Sequence, residues 1–201
     1  RVLEGRSDAG LLDSYSVERV HATHENMAYG AKSTGFMAPP DFAYALMREA
    51  TLRLARNDAS VRALINPRQS TPVSYAESPL NMAEGTAPWT SDLAAPGQPA
   101  PEATMPQGRH LTQSFGAGFV CLVFCSDDAP DLSPLADLSA LGITMQPVPP
   151  SCAQAWQRYG LGTGVDAALV LVRPDGYVMG RWPGVDGVAM RKAIADSGVW
   201  P

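Results

Sequence analysis

The second half of the chain consists of short apolar runs separated by turns and short amphipathic stretches. The run GFVCLVFC at 118–125 is continuous and rich in β-branched and aromatic residues, which is typical of a buried strand. Further runs predict three strands, ITMQPVP, AALVLV and YVMGRW, and three helices, APDLSPLADLSALG closed by Gly142, SCAQAWQRYG and GVDGVAMRKAIADSG. The predicted order is therefore β-α-β-(α)-β-β-α.

The last predicted helix has a mixed pattern of apolar and basic positions. We expect Val188, Ile194 and Ala195 to point inward, and Arg191 and Lys192 to point to solvent.

The N-terminal region, by contrast, has the spacing of helices. Residues 7–31 predict a helix that Ser7 or Asp8 caps and Gly30 ends. Pro39-Pro40-Asp41 predicts a stop and a restart, with Asp41 as the new N-cap. The next helix carries an apolar stripe at i+4 spacing, formed by Phe42, Leu46, Ala50 and Leu54, and a short helical turn is expected around Val61–Ile65.

Prolines dominate the stretch between these two regions. They stand at 67, 72, 79, 88, 96, 99, 101 and 106, which excludes a long helix and a central strand. We expect one short edge strand at Thr71–Ala76 and otherwise an extended wrap over a surface, anchored by Trp89, Leu80, Met82 and Leu93. A flexible linker is the alternative. The sequence therefore predicts three segments: a helical segment at 1–66, a connecting segment at 67–106 and an α/β segment at 107–201.

Composition narrows the function classes. The net charge of −5 in 201 residues argues against a nucleic-acid surface. No apolar run approaches the ~20 residues that span a bilayer, and residues 1–5 have no signal-peptide pattern. Three cysteines make no disulfide framework, so a reducing cytoplasm is the expected compartment.

The stretch YGLGTGVDAALVLVRPDGYVMGRW at 159–182, with the element order above, resembles the thioredoxin fold. A redox thioredoxin needs Cys-x-x-Cys at the start of its first core helix. Here the equivalent residues are expected to be Asp128-Ala129-Pro130-Asp131, and Asp166 would take the place of the cis-proline. The resemblance therefore implies the fold without dithiol chemistry, and the two aspartates are interpreted as helix-start residues.

The three cysteines have separate interpretations. In a regular strand the Cα atoms of Cys121 and Cys125 would lie about 13 Å apart, beyond the ~7 Å limit of a disulfide. They are interpreted as buried structural thiols. Cys152 is predicted on a surface turn, where it would be the most reactive thiol.

Several short motifs of the sequence, taken in order, are similar to motifs of the flavin-dependent aromatic hydroxylases of the phenol and 3-(3-hydroxyphenyl)propionate group. They are LLDSYSVER at 11–19, ESPL at 77–80, APGQPAPEA at 95–103 and LVRPDGYVMGRW at 171–182. In that family, LLDSYxxER follows the last FAD-contacting motif, and larger members end in a thioredoxin-like domain without its cysteines. The resemblance implies that this chain is the C-terminal part of such an enzyme and begins mid-protein.

By this resemblance, the parent enzyme would use FAD and NAD(P)H with molecular oxygen to hydroxylate an aromatic ring. The chain itself would be structural, packing on the missing N-terminal FAD and substrate domains and mediating contacts in a homo-oligomer. No residue of this chain is assigned to a catalytic, cofactor-binding or metal site. The helices of 1–66 are expected to expose apolar surface when isolated.

Other candidate motifs have simpler interpretations. A dinucleotide cradle needs its glycines between a strand and a helix, but GAGF at 116–119 and YGLGTG at 159–164 lead into strands. GVDG at 184–187 is interpreted as a helix start, His21-x-x-His24-Glu25 as a solvated helix face, and Arg173-Pro174-Asp175-Gly176 as a tight hairpin turn. Ser114, Ser151 and His110 form no recognisable triad.

Two other hypotheses remain open. One is a stand-alone, non-redox binding or scaffold module with a thioredoxin fold. The other is an active thiol oxidoreductase or peroxidase that uses Cys152 or Cys125.

Overall fold

A computed structural model describes residues 1–65, 71–82, 84–86, 89–127, 130–162, 164–185 and 187–200. The chain forms two compact units, which are described separately. The sheet unit comprises Arg1–Tyr15 and Ser74–Pro201, and the helical unit comprises Ser16–Val73. These units are divided differently from the three segments expected from the sequence, and those segment boundaries stay a prediction.

The sheet unit is built on four strands. They are β1 (Phe119–Cys125), β2 (Ile143–Val148), β3 (Ala167–Val172) and β4 (Val178–Pro183). The order across the sheet is β2-β1-β3-β4, with β1 and β2 parallel and the other two pairs antiparallel. The α/β fold class and the strand order along the chain are confirmed.

Side chains cover both faces of this sheet. Cys121 and Val123 of β1 belong to one buried cluster, and Leu122 and Phe124 belong to a second. Successive residues of a strand point to opposite faces, so these clusters lie on the two sides of the sheet. Burial on both sides explains why GFVCLVFC is apolar throughout rather than alternating.

Short helices connect and cover the strands. Ser133–Leu141 is a 3-10 helix, and Gly142 ends it with a φ of 76°. Two α-helices occupy predicted positions, α3 (Ala153–Arg158) and α4 (Val188–Asp196). The N-terminal helices α1 and α2 are described below.

The inward face of α4 differs from the predicted one. Met190 and Ile194, four residues apart, are buried, whereas Val188 is 66% exposed and Ala195 is exposed. The stripe that packs on the sheet is therefore centred on Met190 and Ile194, because Val188 is only the first residue of the helix. Lys192 is exposed as predicted.

A long segment whose described residues form no regular strand lies along β4. We call residues 74–104 the strap. Its backbone donates hydrogen bonds to β4 from Met82 to Met179 (2.7 Å), from Gly85 to Arg181 (2.9 Å) and from Gly97 to Val178 (2.8 Å). The described part of 71–76 contains no strand, so the prediction of an edge strand at Thr71–Ala76 is wrong. Prolines limit regular pairing, and isolated hydrogen bonds replace it.

Not every expected anchor of the strap is buried. Met82 is buried, and Leu80 and Trp89 pack partly against the two clusters of the sheet unit. Leu93 is 63% exposed, and its neighbour Ala94 is buried instead. A small residue fits the close approach of the strap to the sheet, whereas the larger leucine points away.

Two helices form most of the helical unit. Helix α1 spans Leu11–Met37, beginning in the sheet unit, and α2 spans Phe42–Leu54. Gly30 does not end α1, because a glycine weakens a helix without blocking it, and the helix stops only before Pro39. Asp41 caps α2 as predicted, with Tyr44 N donating to Asp41 Oδ1 at 2.9 Å.

A 3-10 helix at Ser60–Leu64 follows α2, close to the predicted turn. The predicted apolar stripe of α2 is exposed: Phe42 is 82%, Leu46 59% and Leu54 59% accessible. No helix in the described parts of the chain combines the length and the hydropathy required to cross a bilayer.

Candidate functional site

The carboxyl end of β1 is the place where a thioredoxin dithiol would stand. Ser126 N donates to the carbonyl oxygen of Asp166 at 2.8 Å, which ties the end of β1 to the residue before β3. Asp166, which the thioredoxin resemblance aligns with the cis-proline, immediately precedes β3, and no cis peptide bond occurs among the described residues. Asp128 and Ala129 lie outside the described residues.

Asp131, the other predicted residue of this position, organises the following turn. Its carboxylate accepts hydrogen bonds at 2.9 Å from both the backbone N–H and the hydroxyl of Ser133. These bonds, the backbone one first, lower the pKa of Asp131. The residue therefore satisfies free donors at the start of the 3-10 helix, as the helix-start interpretation requires.

All three cysteines are free thiols. Cys121 is fully buried, and burial raises its pKa to about 12. Cys125, at the end of β1, is half-buried and pairs in register with Ala167. A thiol that is buried in apolar surroundings is a poor nucleophile at neutral pH, because the reactive form is the thiolate.

The prediction of Cys152 on a surface turn is wrong. The residue precedes α3 and is only 5% exposed, within the second cluster of the sheet unit. Its sulfur lies 3.7 Å from that of Met105. Burial raises the pKa of Cys152, and a hydrogen bond with Ser151 offsets part of the increase. The sequence around position 152 predicts a surface turn, but Cys152 is buried together with Ala155 of α3, whereas Ala153 and Gln154 between them are exposed.

The remaining polar candidates serve local roles. His21 lies 4.0 Å from Glu25 one helical turn away, and His110 lies 3.9 Å from Glu102. Ser114 donates to the side-chain oxygen of Gln146 at 3.2 Å. Within the described ranges, no three metal-ligating side chains come together.

The hairpin between β3 and β4 is formed by turn chemistry. Gly176 has a φ of 84°, which an L side chain rarely adopts, and its N–H donates to the Arg173 carbonyl at 2.9 Å. Asp175 accepts a hydrogen bond from Arg173 Nε at 3.1 Å. The aspartate therefore pairs with an arginine of its own turn.

The glycines of YGLGTG allow the strap to approach closely. A Cβ on Gly160 would lie 2.8 Å from the Ser91 carbonyl oxygen, and one on Gly162 would lie 2.7 Å from the Thr90 methyl group. Thr90 N also donates to the carbonyl of Gly160 at 2.9 Å. The space that a cofactor phosphate would need beside these glycines is filled by the strap. Gly160 and Gly162 therefore do not fit a dinucleotide cradle.

The other two glycine motifs, GAGF at 116–119 and GVDG at 184–187, are also explained by the fold. GAGF leads directly into β1, and Gly187 precedes α4 with a φ of 68°. A Cβ on Gly187 would lie 2.7 Å from Leu135 Cδ2 and 2.9 Å from Arg191 Nη1. Asp186 lies outside the described residues.

An arginine at the centre of β4 anchors the strap. Arg181 is only 1% exposed, and its Nε donates to Glu84 Oε1 at 2.5 Å. Its Nη1 donates to the Ser91 carbonyl at 2.8 Å, Nη2 lies 3.6 Å from Asp92, and its guanidinium lies 4.6 Å from the Trp89 ring centroid. Sequence reasoning missed this cluster, although an arginine inside the apolar run YVMGRW was a visible signal.

A groove lies within the helical unit. Its volume is about 500 Å³, and it is formed by α1, α2 and the 3-10 helix that follows α2. The lining is mostly apolar, with one cation: Ala31, Lys32, Gly35, Phe36, Pro40, Tyr44, Met47, Thr51 and Leu64. Its volume is within the range of small-molecule pockets. The helical unit that contains the groove, however, leaves its apolar side chains largely exposed.

No protein-family model and no curated protein matches this sequence. Solved structures do match its fold. The rebeccamycin biosynthetic enzyme RebC, solved with reduced flavin, matches 98% of this chain with a TM-score of 0.59 and 23% identity. Aklavinone-11 hydroxylase, solved with FAD and aklavinone, matches 98% with a TM-score of 0.56 and 22% identity. The flavin-dependent monooxygenase PieE, solved with FAD and substrate, matches 100% with a TM-score of 0.55 and 18% identity.

The chain spans about two fifths of the length of these proteins, covering 38%, 37% and 42% of them respectively. At these identities the likeness establishes the fold. The predicted resemblance to flavin-dependent monooxygenases is confirmed at that level, and the match extends over both the helical unit and the sheet unit.

Proposed function

We propose that this chain is the C-terminal part of an FAD- and NAD(P)H-dependent aromatic-ring hydroxylase. The observation that carries the proposal is the fold match over 98% of this chain with RebC and with aklavinone-11 hydroxylase, proteins solved with flavin. Support that is independent of the fold comes from the ordered motifs LLDSYSVER, ESPL and LVRPDGYVMGRW, which resemble the same family.

In this proposal, FAD is held by the parent's other domains. The glycine segments of this chain either lead into strands or are filled by protein, so they do not fit the cofactor's phosphates. When bound there, FAD would supply the oxygen-transfer chemistry, with NAD(P)H as reductant. The residues of this chain bind neighbouring protein rather than the reacting atoms.

The sheet unit is proposed to be a thioredoxin-like domain without redox function. The strand order β2-β1-β3-β4, with only β1 and β2 parallel, supports the fold. Asp131 bonded to Ser133, together with the buried Cys121 and Cys152, supports a structural role. We propose that the domain covers the catalytic body and contributes to contacts in a homo-oligomer of a cytoplasmic enzyme.

A stand-alone scaffold module is the second candidate function. The observation that favours it is the complete core of the sheet unit, in which the apolar residues of β1 and β3 are buried on both faces. Such a unit could fold without a catalytic body. The coding sequence 5′ of Arg1 separates the two candidates, because only a hydroxylase requires an upstream G-x-G-x-x-G motif between a strand and a helix.

The enzymatic proposal is tested with two purified proteins, the 201-residue chain and the full-length product of its gene. We expect the full-length protein to copurify with flavin absorbance and to oxidise NAD(P)H faster in the presence of hydroxylated aromatic compounds. The 201-residue chain should not bind FAD in a fluorescence-quenching titration. A full-length product without flavin absorbance would refute the proposal, and FAD binding by the 201-residue chain would refute the assignment of the cofactor to the other domains.

A further inference from the structure

Helix α1 has an unusual distribution of polarity. Its buried positions include Ser14, Glu18 and Ala22, each less than 10% exposed. Its large apolar side chains are exposed instead, with Val20 at 55% and Met27 at 66%. A surface helix of a complete globular domain has the opposite arrangement, with its apolar stripe buried. The outer face of α1 therefore lacks its cover.

Four exposed apolar residues and one exposed histidine of α1 follow a regular spacing. Val17, Val20, His24, Met27 and Ala31 are separated alternately by three and four residues, and all five are exposed. We call these five residues the α1 seam. Alternation of three and four keeps side chains on one line of a helix, and it is the spacing with which one helix packs lengthwise on another. The seam is therefore shaped to receive a helix.

The α1 seam continues into the groove of the helical unit. Ala31, its last residue, lines the 500 Å³ groove together with Tyr44, Met47 and Leu64. The seam and the groove therefore form one mostly apolar track, with small residues at Ala31 and Gly35 and with His24 and Lys32 as polar members. Small residues allow the backbones of two helices to approach closely, and the groove accepts larger side chains of the partner.

We infer that the α1 seam is a docking site for a helix with an apolar stripe, supplied by the part of the parent polypeptide that precedes this chain. The inference rests on the proposed function. The matched proteins carry about three fifths of their length outside the region that this chain covers, since coverage is 38% of RebC. A segment of the same polypeptide is present at an effective concentration of roughly millimolar, which a second copy of the chain does not reach at ordinary protein concentrations.

The charges beside the seam fit this occupant better than a symmetric pair of α1 helices. The positions that flank the α1 seam are His21, Thr23, Ala28 and Gly30, none of which carries a fixed charge. Paired helices of separate chains use charges at these flanking positions to select partner and register. A covalently connected partner needs no such selection.

The inference is tested by thiol labelling at Val20. Cys125→Ala is introduced as a background, so that the native cysteines that remain, Cys121 and Cys152, are both buried. Val20→Cys reports on the α1 seam, and Lys192→Cys on α4, where the lysine side chain is 78% exposed, is the matched control. Each variant is made in the 201-residue chain and in the full-length protein, and its rate of modification by a maleimide is measured by mass spectrometry.

We expect Val20→Cys to react in the 201-residue chain and to be slowed by about tenfold or more in the full-length protein, as burial under a packed element requires. Lys192→Cys should react at the same rate in both proteins. Equal rates at Val20→Cys in the two proteins would overturn the inference. Protection in the 201-residue chain that disappears on dilution would overturn it as well, since it would identify a second copy as the occupant.

The nature of the occupant is read from a cross-link. A benzophenone maleimide attached to Val20→Cys in the full-length protein is irradiated, and the linked peptide is sequenced. A peptide from the preceding part of the same polypeptide, with apolar residues spaced by three and four, supports the inference, and a cross-linked dimer contradicts it. Flavin absorbance of the same sample reports separately on the proposed function, so each of the two can fail alone.

Discussion

The Nε of Arg181 lies 2.5 Å from Oε1 of Glu84, joining a fully buried guanidinium on β4 to a carboxylate of the strap 97 residues earlier. An arginine is buried in a protein only when its charge and donors are satisfied. Here the strap supplies the partners, so the attachment of the strap and the solvation of Arg181 depend on each other. Prolines prevent the strap from pairing as a regular strand, and this cluster fastens it.

We predict that Glu84→Gln lowers the free energy of unfolding by roughly 1–3 kcal/mol, because Arg181 would lose a charged hydrogen-bond partner while staying buried. Urea unfolding of the 201-residue chain, followed by tryptophan fluorescence, measures the loss. Asp92→Asn is the matched control, since this carboxylate lies 3.6 Å from Arg181 but is 97% exposed. If both variants destabilise the protein equally, the buried pair is not what holds the strap.

A second prediction concerns the contact between Gly160 and the strap. Gly160 and Gly108 have similar backbone angles, with φ of 75° and 72°, but a Cβ at 160 would overlap Ser91 and one at 108 would meet no atom within 4 Å. We expect Gly160→Ala to cost on the order of 3 kcal/mol and Gly108→Ala about 1 kcal/mol, the latter from backbone strain alone.

Thermal unfolding and limited proteolysis of the two glycine variants check this difference. Gly160→Ala should also expose the strap to cleavage, because the collision is with a strap residue. Equal melting temperatures would show that the strap moves away from an added methyl group without cost.

The elements that the sequence predicted well are those whose environment is uniform. The strand β1 is buried on both faces, so its residues are all apolar and the run GFVCLVFC is hard to interpret otherwise. The turn at Gly176 is also local, since a positive φ at glycine follows from the strand twist on either side. Tertiary contacts did not need to be known in either case.

The errors arise where long-range contacts decide. The sequence around Cys152 predicts a surface turn, but the burial of this residue depends on packing against Met105, 47 residues away. The strap has no periodicity of its own, because isolated hydrogen bonds from Met82 and Gly97 to β4 determine its course. The role of Arg181 likewise depends on Glu84, which no short motif connects to it.

A third prediction tests the start of α2. Asp41 is its N-cap and accepts a hydrogen bond from Tyr44 N, so Asp41→Ala should cost about 1 kcal/mol of stability in the helical unit. Asp41→Ser keeps an acceptor at the same position and should restore most of the loss. Amide hydrogen exchange over Phe42–Leu54 measures the effect, and faster exchange in both variants would show that charge rather than capping stabilises the helix.

The last prediction follows from the Cys121 thiol. Its pKa is raised by burial to about 12 in the folded protein, from an ordinary value of 9.0. Between these two pH values the unfolded chain releases this proton and the folded chain keeps it, so the unfolded state binds fewer protons. Stability must therefore fall as pH rises above 9, by about 1.4 kcal/mol per pH unit once the unfolded thiol is ionised.

Urea unfolding under a non-thiol reductant at several pH values from about 8 to 10 measures this slope, and it stops short of the range in which unfolded tyrosines ionise. Cys121→Ala should flatten the fall relative to the wild type. Val123→Ala is the matched control, because it removes apolar volume from the same strand and the same buried cluster without removing a titrating group. Val123→Ala should lower the free energy of unfolding by the same amount at every pH. If Cys121→Ala instead gave a curve parallel to that of the wild type, the thiol at position 121 would not stay neutral in the folded protein, and its assignment as an inert core residue would fail.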